Sequence, residues 1–194
     1  MTSTLQLLPL HENQYFQNSV LELLNDEWPQ SKTIRMRRLE RSCNELPLSY
    51  ILIDDNNNNN NQLIGYCYID RLLNEEQSII VESVCIQRTL RGHGYGRILM
   101  KLLEDKLQER ESKIQCIYLT TTDKRHFYEK CGYEETTPRV RLNISSKLFN
   151  GNEEVFKNLL ANQTQSTTDN HVILQKGSTI QRIPTIWMKK QISK

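Results

Sequence analysis

Residues 87–104, QRTLRGHGYGRILMKLLE, hold three of the chain's seven glycines, Gly92, Gly94 and Gly96, within five positions. They follow the apolar run SIIVESVCI and precede a stretch in which Ile98/Leu102 and Leu99/Leu103/Leu107 recur every four residues. A strand that feeds a glycine turn and then a helix can hold an anion. The first N–H groups of a helix lack internal partners, and the helix dipole makes that end positive. Glycine permits a positive φ and lets an anion reach the backbone without meeting a Cβ. Arg91 and Arg97 bracket the turn and add charge. No G-K-[ST] follows, and Arg97 stands where a G-x-G-x-x-G fingerprint needs its third glycine, so two common nucleotide loops are excluded. Two readings remain on the residues alone: a diphosphate cradle, or a tight strand-to-helix connection with no ligand.

Glu82 is the one acidic residue within SIIVESVCI. Strict alternation along a strand places it on the same sheet face as Val84. It is a candidate general base, or else an edge-strand carboxylate in an ion pair. Tyr128, in HFYEKCGY, is a candidate acid, or else a core tyrosine with a satisfied hydroxyl. A phenol at ~10 is a serviceable proton donor to a thiolate near ~8.5. His126 is an alternative base or relay, and His93 is expected to face solvent. Cysteines at 43, 67, 85, 116 and 131 are odd in number and form no C-x-x-C. They are expected as buried, reduced thiols in a cytoplasmic protein that carries no metal.

The elements that must position these groups follow an α/β order. Leu5 to Leu10 is the first strand. YFQNSVLELLNDEW, with Val20, Leu21, Leu24 and Trp28 near helical spacing, predicts a helix. SKTIRMRRLERS predicts a second, with Ser31 at its N-cap and Ile34, Met36 and Leu39 apolar. LSYILID, LIGYCYIDRLL and SIIVESVCIQ are strands, the last two joined through NEEQ. A helix from about Gly94 to Arg110 follows, then strand IQCIYLTTT and a short helix in KRHFYEKCGY closed by Gly132. PRVRLNI predicts a strand, NEEVFKNLLANQ a helix and QTQSTTDN a loop. IQRIPTIWMKK is the last strand, and Pro184 argues that it lies at an edge or a bulge. Residues 56–61, all asparagine, form a polar loop with nothing to bury.

Hydrophobic residues are 37% of 194 and charged residues 25%, enough for one compact domain over 1–194 in a soluble protein. No run approaches the ~18 apolar residues of a membrane span, and the first residues carry no basic segment of a signal peptide. Net charge is +2, but residues 31–41, SKTIRMRRLER, hold five positive charges and one negative, leaving −2 for the rest. Lys32, Arg35 and Arg38 recur at i, i+3 and i+6; Arg37 and Arg41 form another face. This is either a solvated helix or a surface for acidic ligands, since arginine forks hold carboxylates in a bidentate way. The run has no interleaved aromatics, which argues against nucleic acid.

Arg91, Gly94 and Gly96 fit R-x-x-G-x-G, and about thirty residues later Phe127, Tyr128, Gly132 and Tyr133 fit F-Y-x-x-x-G-Y. Together these resemble the GNAT acetyltransferase superfamily over roughly residues 5–141 and the last strand. The resemblance implies a single GNAT domain, a mixed central sheet with helices on both faces, and acetyl-CoA as co-substrate. It implies that the turn (Arg91, Gly92, His93, Gly94, Tyr95, Gly96 and Arg97) holds the pyrophosphate on backbone amides. Val84, Cys85 and Ile86 would pair with the pantetheine arm, and Tyr128 would protonate the departing thiolate.

Longer stretches, ELLNDEWPQSKTIRMRRL and LTTTDKRHFYEKCGY among them, are similar to the branch of cytosolic N-terminal acetyltransferases that act on processed actin. That implies an acidic protein N-terminus as substrate, Arg35 and Arg38 at the peptide entrance, and Trp28 either as a wall for the first side chain or as core packing. A free α-amine, pKa ~7.7–8.0, is partly neutral near pH 7 whereas a lysine amine at ~10.4 is not, so such a reaction needs positioning more than strong base catalysis. Some members of the branch carry a proline-rich insert that recruits profilin. Here the variable segment 142–180 is rich in Asn, Gln and Thr, so profilin-assisted docking through it is not implied. A monomer is expected, and the alternatives are a small-molecule amine acetyltransferase and a non-catalytic acyl-CoA-binding module.

Overall fold

Among the described residues one sheet holds seven strands: β1 Thr4–Pro9, β2 Leu48–Asp55, β3 Gln62–Arg71, β4 Ser78–Ile86, β5 Cys116–Thr121, β6 Glu134–Thr136 and β7 Ile186–Gln191. They lie in the order β1-β2-β3-β4-β5-β7-β6, and all but the polar β6 carry apolar residues into the core. The computed structural model describes residues 4–55, 61–110, 113–139 and 185–192. β1 to β4 form an antiparallel meander; β4 pairs with β5 in parallel, and β7 runs antiparallel to both β5 and β6. A parallel pair needs a crossover, and helix α3, Tyr95–Arg110, supplies it.

Helices α1, Gln17–Glu27, and α2, Lys32–Leu39, cover one face of the sheet. Val20, Leu21, Leu24 and Leu39 pack there against Ile51, Ile53, Tyr66 and Cys85. On the other face lie α3 and α4, Arg125–Lys130, where Leu99, Leu103, Leu107 and Tyr128 pack against Ile64, Cys67, Ile79, Val81, Leu119 and Met188. The mixed sheet with helices on both faces is the expected architecture.

Four expectations change. β7 lies between β5 and β6 rather than at an edge. The rule that confines proline to edges concerns residues inside the ladder, and Pro184 precedes Ile186. Pro138 and Arg139 are not in a strand, and the strand flanking β7 is Glu134–Thr136. In α2, Ile34 is 51% exposed while Arg35 is 7% exposed. Arg35 and Leu39, one turn apart, form the inward stripe of this two-turn helix, so Lys32, Arg35 and Arg38 do not share an exposed face. Finally, Cys43 is exposed and Cys131 half-buried, while Cys67, Cys85 and Cys116 are buried as expected. Most of the asparagine loop, the remainder of PRVRLNI, the helix and loop expected within 151–170, the segment 142–180 and Pro184 lie outside the described residues.

The feature that matters for chemistry is a break in the sheet. β4 and β5 pair only from Ser78↔Cys116 to Val81↔Leu119, yet β4 runs on to Ile86 and stays paired with β3 up to Gly65↔Ile86. The strands part where the β3–β4 register shifts between Tyr66↔Cys85 and Tyr68↔Glu82. Ser83, at φ +54°, is the extra residue of this bulge. Beyond Val81, no strand among the described residues pairs with this edge of β4, which faces a slot.

Candidate active site

The glycine turn lies at the end of that slot. Gly92 and Gly94 take φ +82° and +87°, and a Cβ on either would meet nothing within 4 Å. The Gly94 carbonyl accepts the N–H groups of Arg97 at 3.0 Å and Ile98 at 3.1 Å, which makes Gly94 the N-cap of α3. The amides of Tyr95 and Gly96 are thus the first two of the helix, the ones that have no carbonyl a turn behind them. No hydrogen bond among the described residues uses them. Gly96 has a different reason to be glycine: a Cβ there would lie 3.1 Å from the Phe127 ring, so α3 and α4 meet at this point. His93 is exposed, with its Nδ1 folded back 2.9 Å from the Arg91 carbonyl. Arg97 is exposed beside the turn.

Arg91 donates from Nε to the Ile86 carbonyl at 3.0 Å and from Nη2 to Glu27 Oε2 at 2.8 Å. Arg88 pairs with Asp26 at 3.1 Å. Acidic residues at the C-terminal end of a helix oppose its dipole. These two arginines offset Asp26 and Glu27 at the end of α1 and tie that helix to the turn.

Along the slot, Val84 and Ile86 pack towards α3, while Cys85 points into the α1 cluster, where burial pushes its thiol up to about 11. Cys85 is therefore an uncharged wall at neutral pH. Glu82 does not share the face of Val84, as strict alternation requires, because the bulge at Ser83 resets the pleat. It stands opposite Tyr68, which packs against the α1 cluster, so the half-buried Glu82 faces the α1–α2 side. Tyr128 approaches from the opposite face. It is 8% exposed, edge-on to Phe127 at 4.9 Å and to Tyr133 at 5.9 Å, and burial raises its phenol well above the ordinary range. It thus keeps its proton throughout the physiological range. His126 points outward, 81% exposed, with Nδ1 3.2 Å from Glu129 Oε2.

The residues expected at a peptide entrance divide. Arg38 is exposed on α2 with Arg37, and Arg41 follows just beyond the helix. Arg35 is turned inward, its Nε on Asn25 Oδ1 at 2.6 Å and its Nη2 on the Trp28 carbonyl. Burial, and then the Arg38 charge, lower its pKa. Trp28 caps the end of α1 and is 37% exposed, beside the α1–α2 turn. Arg35→Met should leave two partly buried carbonyl oxygens without a donor, about 1–2 kcal/mol, and lower Tm by about 2–8 °C in a thermal melt. An unchanged Tm with a raised peptide KM would instead make Arg35 a ligand of the substrate.

Tyr68 and Asp70 escaped the sequence reading. They lie on the same face as Glu82, and the alternation Tyr66, Tyr68, Asp70 in YCYID was the available signal.

Residues 17–133 match the model of the Acetyltransferase (GNAT) family. Over 119 residues the chain is 34% identical to N-alpha-acetyltransferase 80 of Mus musculus; the match spans 60% of this chain and 37% of that protein. Among solved structures, an aminoglycoside 6'-N-acetyltransferase complexed with coenzyme A superposes with a TM-score of 0.62 at 17% identity, covering 97% of this chain and 98% of the other. The ribosomal-protein-S18-alanine N-acetyltransferase from Escherichia coli gives 0.61 at 15% identity over 98% and 96%. The family match takes in both helices of the α1–α2 face, the bulged strand, the glycine turn and Tyr128, and the chain belongs to the GNAT acetyltransferases, whose acyl donor is acetyl-CoA.

Proposed function

We propose that this chain transfers acetyl from acetyl-CoA to the free α-amine of an acidic protein N-terminus, with processed actin as the first substrate to test. The observation that carries this is the placement of charge. A carboxylate, Glu82, faces the α1–α2 side of the slot, and exposed Arg37, Arg38 and Arg41 belong to that cover. An acidic N-terminus presents an ammonium first and carboxylates after it, which is the complementary order. The printed name of the mouse relative supports an α-amine acceptor.

In this reading the turn from Arg91 to Arg97 holds the diphosphate on backbone amides, and Val84 to Ile86 pair with the pantetheine arm along the open edge of β4. Glu82 first takes one proton from the bound ammonium and passes it to solvent, which frees the nitrogen lone pair. The amine nitrogen then forms its bond to the carbonyl carbon as the C–S bond breaks and sulfur takes the electron pair. Glu82 accepts the nitrogen's second proton from one sheet face, and Tyr128 supplies one to sulfur from the other. Exchange with water returns both groups to their starting states. Arg38 and Trp28 line the peptide entrance, and Arg35 contributes by holding α2 against α1.

The test is acetyl-CoA consumption with peptides beginning Asp-Asp, Glu-Glu, Met-Lys and Ser-Ala, with lysine and spermidine as further acceptors. Acidic peptides should be turned over at least tenfold better. Arg38→Glu should cut kcat/KM for them by about 10–100-fold, since one reversed charge near a surface is worth about 1–4 kcal/mol, and the loss should shrink at high salt. Equal turnover of all peptides would remove the acidic assignment. A preference for spermidine would favour a small-molecule acceptor, and coenzyme binding without turnover would favour a non-catalytic module.

A further inference from the structure

The face that carries Glu82 holds a second polar pair. Tyr68 is the residue directly opposite Glu82 in the β3–β4 ladder, and Asp70 lies two residues along the same face. The Tyr68 hydroxyl donates to Asp70 Oδ2 at 3.0 Å. The other Asp70 oxygen accepts the Arg71 N–H at 2.8 Å, so the strand's own backbone fixes the carboxylate. A phenol has one hydrogen to donate and two lone pairs to accept. With the hydrogen committed to Asp70, the oxygen can only accept from whatever enters the cleft. Burial and the Asp70 charge also keep Tyr68 protonated, with Arg41 pulling weakly the other way.

We infer that Asp70 locks the Tyr68 hydroxyl as an acceptor, and that the Tyr68 oxygen, beside Glu82, takes a hydrogen bond from the substrate's amine nitrogen. The inference rests on the reading of this cleft as the amine site. Two acceptors on neighbouring strands would hold two of the ammonium's three hydrogens. That fixes where the lone pair appears once a proton leaves: towards the slot in which the thioester lies. Asp70 is then a positioning residue, acting on the substrate through Tyr68.

The discriminating experiment is a double-mutant cycle on kcat and KM for an acidic peptide, with coenzyme A affinity and thermal unfolding measured beside it. Tyr68→Phe removes the acceptor and should lower kcat about tenfold, with coenzyme Kd unchanged. Asp70→Asn keeps the shape but offers an amide N–H to Tyr68, so the hydroxyl hydrogen turns into the cleft towards the ammonium. It should cost more than Tyr68→Phe, about 30–100-fold in kcat. In the double variant the reversed hydroxyl is gone, and activity should return to the Tyr68→Phe level. A packing role predicts instead that the two losses multiply, and that result overturns the inference, as do two single variants within twofold of wild type. If Asp70→Asn unfolds, Asp70→Ala frees the hydroxyl to point either way and should give a loss smaller than that of Tyr68→Phe; a larger one overturns the inference. A wild type that prefers spermidine removes the peptide reading while leaving the same cycle decisive with spermidine as acceptor, and a wild type that acetylates neither removes both.

Discussion

Glu82→Gln is expected to lower kcat by about 100-fold while leaving the coenzyme A Kd and the melting temperature close to wild type. General-base assistance is worth about 10²–10⁴-fold, and the low end applies because a substrate α-amine at ~7.7–8.0 is already partly neutral at pH 7. The loss should be greatest below pH ~7, where most of the amine is protonated, and should narrow above pH ~8. Gln is isosteric with Glu and keeps a hydrogen-bonding carbonyl, so a structural role in pairing would lose little activity. Steady-state kinetics between pH 6 and 9 on an acidic peptide decides it. A loss under threefold, or one that does not vary with pH, would move the base elsewhere, and His126, exposed and paired with Glu129, is poorly placed to take the role. The bulge makes this prediction specific. With Ser83 at φ +54°, Glu82 and Val84 face opposite sides, so the proposed base and the proposed pantetheine-side wall are separable by mutation.

The element order and the glycine turn were legible because their signals are local. Apolar runs bounded by polar turns mark strands, and a glycine cluster between a strand and a helical stripe has few structural uses. What escaped depends on partners distant in sequence. Serine carries no preference that would announce a left-handed residue at position 83, so alternation was extended one residue too far and Glu82 was put on the wrong face. Arg35 lies on a helix of only two turns, where a charged residue one turn before Leu39 faces inward because Asn25 and the Trp28 carbonyl receive it; nothing within SKTIRMRRLER reveals those partners. The consequence is practical. A double charge reversal at Arg35 and Arg38 would bury a carboxylate against two acceptor oxygens and disrupt the α1–α2 cover, so only the exposed Arg38 tests peptide binding cleanly. Tyr68 and Asp70 were missed for the opposite reason: their alternation was visible, but it was indistinguishable from the pattern of any half-buried strand.

Gly94→Val is expected to raise the coenzyme A Kd by about 10–100-fold while lowering Tm by only a few degrees. The space beside Gly94 is open, so no clash contributes; the cost lies in the backbone. A β-branched residue at φ +87° is strongly disfavoured, by about 1–3 kcal/mol. The chain can relieve that strain only by rotating the peptide planes that aim the Tyr95 and Gly96 amides. Each lost charge-assisted hydrogen bond to the diphosphate removes about 1.5–3 kcal/mol of binding. Gly96→Val tests the other function of the turn. Its Cβ would press on Phe127 at 3.1 Å, and Phe127 precedes Tyr128, so the displacement passes to α4 and should appear in kcat more than in Kd. Titration calorimetry with coenzyme A separates the two variants. Wild-type affinity in Gly94→Val would mean that the diphosphate is not held by this turn. A Kd raised equally by both variants, with kcat spared, would mean that Gly96 serves the anion rather than the seating of α4.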